Sequence, residues 1–164
     1  MSVGFFKDQV FVRNLVFGIE DGLVSTVGLL SGIAIAGVAG PTIFLTGSVL
    51  IFVEAFSMAA GSFLSEESVE ENFEAPQTST RSIAGSAVMF VSYMFAGFIP
   101  LLPYTVMPVN TAFPTSIACA FVALFVLGLW SGRRGSRSLK SAWRMLIIGG
   151  AAIIVGASAG MIFG

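Results

Sequence analysis

Four side chains capable of chemistry stand inside stretches that are otherwise apolar: Glu20, Asp21, Glu54 and Met58. A charged side chain at the centre of a spanning helix costs about 2.5–3.5 kcal/mol on an insertion scale, so it needs a partner or a task. Asp21 lies seven residues past Asn14, where the first apolar stretch begins, or about 10 Å deep at ~1.5 Å per residue. Met58 lies six residues before Leu64, where the second stretch ends, about 9 Å deep by the same rise. The two are level. Glu54 stands one turn deeper than Met58 on the same face, about 15 Å in and near the midplane of a ~30 Å slab. A carboxylate, a thioether and a second carboxylate in a column resemble a cation path more than a packing accident. Hard oxygen beside soft sulfur suits a borderline divalent ion such as Fe²⁺ better than Mg²⁺ or Ca²⁺. Glu20, closer to the interface, either joins the path or reaches water. Taken singly, each residue has a plainer reading: Asp21 as a cap or ion-pair partner, Glu54 as a neutral hydrogen-bonded acid, Met58 as packing.

A second acidic group follows the second apolar stretch. Glu66, Glu67, Glu70, Glu71 and Glu74 recur at a spacing that places all five on one helical face. Like charges there repel by a few tenths of a kcal/mol per i,i+4 pair, about 0.2–0.5, and a cation relieves that. The face reads either as a collector of metal ions extending the second helix or as a solvated acidic loop.

These groups need elements to hold them, and the composition decides which. Of 164 residues, 55% are hydrophobic and 10% charged, and the mean hydropathy is +0.93. A soluble domain carries roughly 25% charged residues, so this chain belongs in a bilayer. Five stretches reach the ~20 residues that a spanning helix needs: about 14–38, 42–64, 83–103, 113–131 and 145–164, with a short acidic cytoplasmic segment at 65–82. None alternates as barrel strands do. The expected fold is therefore all-α, a polytopic membrane protein in a single transmembrane domain. All eight basic residues fall on one side of these spans, which marks that side as cytoplasmic, with the N-terminus inside and the C-terminus outside. The first stretch contains Glu20-Asp21 and lacks a cleavage signature, so it reads as a helix rather than a signal peptide.

Several chemistries are excluded. The chain has no histidine and one cysteine, Cys119, which removes histidine bases, thiolate clusters and an internal disulfide. A net charge of -1 argues against a nucleic-acid surface. No nucleophile–base pair stands out, so no enzyme and no bound cofactor are expected. Pro41 should end the first helix and open the second, Pro100 and Pro103 should kink or end the third, and Asn110 or Thr111 can cap the fourth. Small residues recur every fourth position: Gly18 and Gly22, Gly28 and Gly32, Ser57 and Gly61, then Gly156, Gly160 and Gly164. That spacing lets helices approach closely. It hints at dimerisation, with the glycine-rich first helix set against a partner subunit.

Taken together, the residues resemble the vacuolar iron transporter family. The resemblance runs through Asp21-Gly22-Leu23-Val24-Ser25 with Gly28 and Gly32, through Ser57-Met58-Ala59-Ala60-Gly61 with Leu64-Ser65, and through Pro100-Leu101-Leu102-Pro103-Tyr104. It covers the first three helices; the last two match only in glycine-rich character. It implies a five-helix homodimer with the ion path between subunits, exporting Fe²⁺ from the cytosol in exchange for protons. The family's path residues match Asp21 and Met58. Departures are also plain. The family's cytoplasmic metal-gathering domain is absent or reduced to the Glu66–Glu74 face. Its Gly-Glu-Tyr reads Gly61-Ser62-Phe63, and the carboxylate that some relatives carry two turns before the Met is Leu50, with Glu54 one turn before instead.

The resulting expectation is a Fe²⁺/H⁺ antiporter, with Mn²⁺, Co²⁺ and Zn²⁺ as other candidate ions. Its partners are a second copy of the chain, membrane lipid, divalent metal ions and protons. Metal gathered at the acidic face would pass Asp21 and Met58 while Glu54 exchanges a proton. A passive divalent-cation channel and a non-transporting membrane scaffold are the alternatives. The short chain without a targeting extension suggests a prokaryotic plasma membrane, or a vacuolar-type membrane in a eukaryote.

Overall fold

The computed structural model describes residues 9–73, 79–132 and 138–164, with side chains over 9–69, 81–132 and 138–164. Helices follow in the order α1 (Gln9–Ile35), α2 (Gly40–Phe73), α3 (Ser79–Leu101), α4 (Pro103–Val106), α5 (Val109–Ser131) and α6 (Ser138–Phe163). All except the one-turn α4 are long and apolar enough to cross a membrane, and no strand occurs among the described residues.

The spans expected from hydropathy are present, but every helix starts earlier than expected, and the first and third also end earlier, at Ile35 and Leu101. The first begins at Gln9 rather than near Asn14, and the last at Ser138 rather than near Met145. Hydropathy marks where apolar residues begin; a helix continues past that point, because Arg13, Lys140 and Arg144 keep their charges in water while their stems stay on the helix surface. The largest extension is α2. Its 34 residues would span about 51 Å at ~1.5 Å per residue, against ~30 Å of hydrocarbon. The acidic stretch from Ser65 to Phe73 is therefore the continuation of α2 and not a separate segment.

Local chemistry sets the breaks. Gly37 adopts a φ of 78° after the last turn of α1, and the N–H groups of Gly37 and Val38 close back onto the carbonyls of Ala34 and Ile33, a glycine-dependent helix stop. Pro41 then sits in the first turn of α2, where a missing N–H costs nothing. Pro100 falls in the last turn of α3 and Pro103 opens α4. The buried Ser116 hydroxyl donates to the Pro100 carbonyl at 2.6 Å. The expected cap on α5 is not used. That helix starts behind Pro108 with no side-chain cap, and Asn110 and Thr111 lie inside its first turn.

Helix α1 is the hub, packed most extensively on α3 and α6 and also touching α5 and α2. Glycine makes this possible. A Cβ on Gly22 would stand 2.6 Å from the Tyr93 carbonyl oxygen of α3, and one on Gly32 2.6 Å from the Gly156 carbonyl oxygen of α6. Side chains at Gly156 and Gly160 would in turn collide with the Gly28 and Gly32 backbone. The four-residue glycine spacing thus joins helices of one chain. Ser57 and Gly61 differ, since both are exposed and nothing lies within 4 Å of a Cβ built on Gly61. The outer faces of α2 and α6 carry Phe52, Phe56, Ile147, Ile154 and Met161, as lipid-facing helices require.

Candidate metal-ion path

Three helices contribute. Along α2, Glu54, Met58, Ser62 and Glu66 follow one another at i,i+4, so successive turns carry them down one side. Helix α1 brings Asn14, Glu20, Asp21 and Ser25, and α3 brings Met89 and Tyr93, again one turn apart.

Near the middle of the spans, the buried Tyr93 hydroxyl donates to Glu54 Oε2 at 2.8 Å. The same hydroxyl meets Ser25 Oγ at 2.5 Å, and Ser25 Oγ donates to the Asp21 carbonyl oxygen at 2.8 Å. One line of polar contacts therefore runs from α2 through α3 to α1. Asp21 lies within electrostatic range of both Glu54 and Glu20. Three carboxylates thus share one region between helices, with Arg144 within electrostatic range of Glu20; like charges so placed favour an added cation or proton.

Towards the end of α1 that carries Arg13, a cleft of about 730 Å³ opens between α1 and α2, lined by Arg13, Asn14, Glu20, Met58, Ser62 and Met89 among others. Depth alone pairs Met58 with Asp21, but within one chain the carboxylate lining the cleft beside Met58 is Glu20. Asp21 stands on the adjoining face with Glu54 and Ser25, because consecutive helical residues point about 100° apart at 3.6 residues per turn. Among the described residues no group of three His, Cys, Asp or Glu could hold a metal ion.

The acidic run also divides. Glu66 is only 8% exposed and is turned into the bundle, where Arg13 Nη2 lies 3.1 Å from its Oε1. Asn14 Nδ2 donates to the same oxygen at 3.1 Å and Ser62 Oγ at 3.3 Å. Glu67 is half-buried. Glu70 and Glu71 lie on the helical continuation, with side chains outside the described residues, and Glu74 lies outside them altogether.

Sequence reasoning did not single out Tyr93, Met89, Asn14 or Ser25 as path residues. Ser82, Ser86, Met89 and Tyr93 recur at helical spacing in a stretch of α3 without charge; that stripe is the signal that could have found two of them.

The sequence profile of the VIT family matches residues 12–84 and 69–161, together almost the whole chain. This chain belongs to the VIT family. Members of the VIT family are transporters and not enzymes, so the polar line and cleft belong to an integral membrane protein that moves metal ions. Among similar proteins, vacuolar iron transporter 1 of Arabidopsis thaliana is 22% identical over 206 aligned positions, covering 88% of this chain and 82% of the relative. The protein of the same name from Oryza sativa subsp. japonica is 23% identical with the same coverage. That from Tulipa gesneriana is 23% identical over 201 positions, covering 84% and 81%. The two matched stretches of the VIT profile overlap at 69–84, where acid-rich α2 ends and α3 begins.

Proposed function

We propose that this VIT-family chain is a Fe²⁺/H⁺ antiporter that exports ferrous iron from the cytosol along a path formed where two copies meet. The observation that supports the reading is the gathering of Glu20, Asp21 and Glu54 in one region inside the spans, with Glu20 sharing a cleft with Met58. The relatives' name supplies iron as the cargo.

In this mechanism Fe²⁺ is concentrated by the acidic run that follows the second apolar stretch, Glu67, Glu70, Glu71 and Glu74. It moves past Glu20 and is desolvated between Asp21 and Met58 of both copies. Carboxylate oxygen replaces water at low cost, and the thioether favours Fe²⁺ over harder ions. Among the described residues no three His, Cys, Asp or Glu converge within one copy; a two-fold axis would repeat Asp21 and Met58 and so enlarge the ligand set. The exposed Ser57 and Gly61 leave room for a second α2 on the face beside Met58.

Glu54 is the proton exchanger. Ser25 and Tyr93 together bring two hydroxyl protons to three contacts. Tyr93 donates to Glu54 Oε2 and Ser25 to the Asp21 carbonyl, a line of hydroxyls that holds the Glu54 carboxylate where it can take up a proton when the metal is absent. Arrival of the metal releases that proton. The cytosolic N-terminus rests on the basic residues gathered at one side of the spans, and a prokaryotic plasma membrane is the proposed location.

The test is Fe²⁺ flux into proteoliposomes with a pH dye trapped inside and an imposed proton gradient. Uptake that drives proton efflux, is stimulated by an acidic lumen and disappears in Asp21→Asn is the expected result. Uptake indifferent to the gradient points to a channel. Full-rate transport by Asp21→Asn removes the site assignment.

A further inference from the structure

Glu66 sits at the acidic end of α2, yet its carboxylate is held by the bundle. Oε1 takes Arg13 Nη2, Asn14 Nδ2 and Ser62 Oγ at 3.1, 3.1 and 3.3 Å. Oε2 is buried with no hydrogen-bond partner. Arg13 also reaches Asn14, its Nε standing 3.5 Å from Oδ1. One guanidinium therefore faces two oxygens, with the Ser62 hydroxyl beside them. The oxygens are fixed: Asn14 is 1% exposed and Glu66 8%. The cation they hold is not, because the Arg13 side chain is 62% exposed.

A structural ion pair explains this poorly. Arginine holds carboxylates best through two parallel N–H groups, and here one nitrogen does so. A buried carboxylate with three contacts on one oxygen and none on the other is under-satisfied. Gly85 stands beside the bare oxygen and offers it no side-chain donor; a Cβ there would lie 3.4 Å from Oε2 and only 2.9 Å from Asn14 Nδ2. A divalent ion in place of the guanidinium could draw on both Glu66 oxygens, Asn14 Oδ1 and Ser62 Oγ, the all-oxygen set that hard and borderline divalent ions accept.

We infer that Glu66, Asn14 and Ser62 form a second, all-oxygen site for a divalent metal ion at the mouth of the cleft, occupied at rest by Arg13, which the metal displaces. The inference rests on the transport reading above and adds a step to it: the ion meets oxygen ligands before the thioethers of Met58 and Met89. Neighbouring Glu67, Glu70 and Glu71 raise the local cation concentration, and Arg13 keeps monovalent ions from settling there.

The test is Mn²⁺ binding to the full chain in lipid nanodiscs, read from the spin signal of free Mn²⁺, for the unaltered protein, Arg13→Gln, Glu66→Gln and the double variant. Arg13→Gln should tighten one Mn²⁺ site by roughly ten-fold, within the range usual for coupled binding events. Glu66→Gln and the double variant should lack that site. Unchanged affinity in Arg13→Gln, or retention of the site in Glu66→Gln, overturns the inference and leaves a structural ion pair. Should Arg13→Gln not fold, the unaltered chain carries the test. Saturating Mn²⁺ should then raise phenylglyoxal labelling of Arg13, mapped by peptide mass, and unaltered labelling overturns the inference equally. Binding is read without transport, so the two failures separate. A chain that moves no metal but shows the Arg13→Gln gain loses only the antiport reading. One that exchanges Fe²⁺ for protons without that gain loses only this site.

Discussion

The Tyr93 hydroxyl donates to Glu54 Oε2 at 2.8 Å, so a residue from a helix without acidic side chains fixes the orientation of the carboxylate proposed to exchange protons. Ser25 holds the other side of the same hydroxyl. Packing alone would be served by phenylalanine; the hydroxyl serves the carboxylate.

Tyr93→Phe should therefore separate packing from proton exchange. The ring still fills its place in α3, while Glu54 loses its donor, at a cost of about 1–3 kcal/mol for an unsatisfied buried acceptor. The expected outcome is a folded protein whose Fe²⁺ uptake responds much less to the proton gradient. Proteoliposome flux with a trapped pH dye measures both. Unaltered coupling would show that Glu54 does not depend on Tyr93.

Met58→Leu conserves volume, and such swaps usually cost under about 1.5 kcal/mol, so the fold should persist. What is lost is the thioether. Uptake of Fe²⁺ should fall relative to Mn²⁺, since Mn²⁺ favours oxygen ligands more strongly. A competition assay with both ions reads the ratio directly, and a ratio equal to that of the unaltered chain would assign Met58 to packing. Glu20→Gln in the same assay should lower uptake of both ions, because Glu20 supplies charge to the cleft rather than softness.

How much of this was legible in the sequence depends on whether the deciding interaction was local. The spanning helices follow from composition and length, and the carboxylates inside them were visible because charge is rare there. Which face each carboxylate takes was not visible: depth paired Asp21 with Met58, while helix rotation brings Glu20 to the cleft and leaves Asp21 beside Glu54. Glu66 looked like one of five equivalent acids because its partners Arg13 and Asn14 lie about fifty residues away in the chain. The glycine spacing was read correctly as close approach, but spacing carries no information on whether the second helix belongs to the same copy.

That last ambiguity gives a test. Gly156 of α6 lies against the Gly28 backbone of α1, and a side chain there collides with main chain that cannot rotate away. Gly156→Val should therefore destabilise the monomer fold by about 1–3 kcal/mol or more, as overpacking does. Thermal unfolding in detergent should record a lower midpoint. Gly61→Val, with open space around it inside one copy, should leave that midpoint nearly unchanged and weaken association of two copies instead, read by crosslinking or size. If Gly156→Val disrupts the dimer at unaltered monomer stability, these glycines face a partner after all.

The acidic end of α2 makes the last prediction. Glu67, Glu70, Glu71 and Glu74 follow Leu64, where the apolar stretch of the sequence ends, and salt screens exposed charges over about 8–10 Å at physiological ionic strength. They can gather cations but not select among them. Replacing all four by Gln, with Glu66 left in place, removes four of nine acidic residues without touching the Arg13 pair. The apparent KM for Fe²⁺ should rise several-fold at low ionic strength, and the maximal rate should hold, because the desolvating residues inside the span are unaltered. The effect should shrink as salt increases, since steering by exposed charge falls steeply with ionic strength. A loss of maximal rate at saturating Fe²⁺ would instead place these carboxylates within the path itself. A KM shift that persists in high salt would mark a built binding site on the extension of α2.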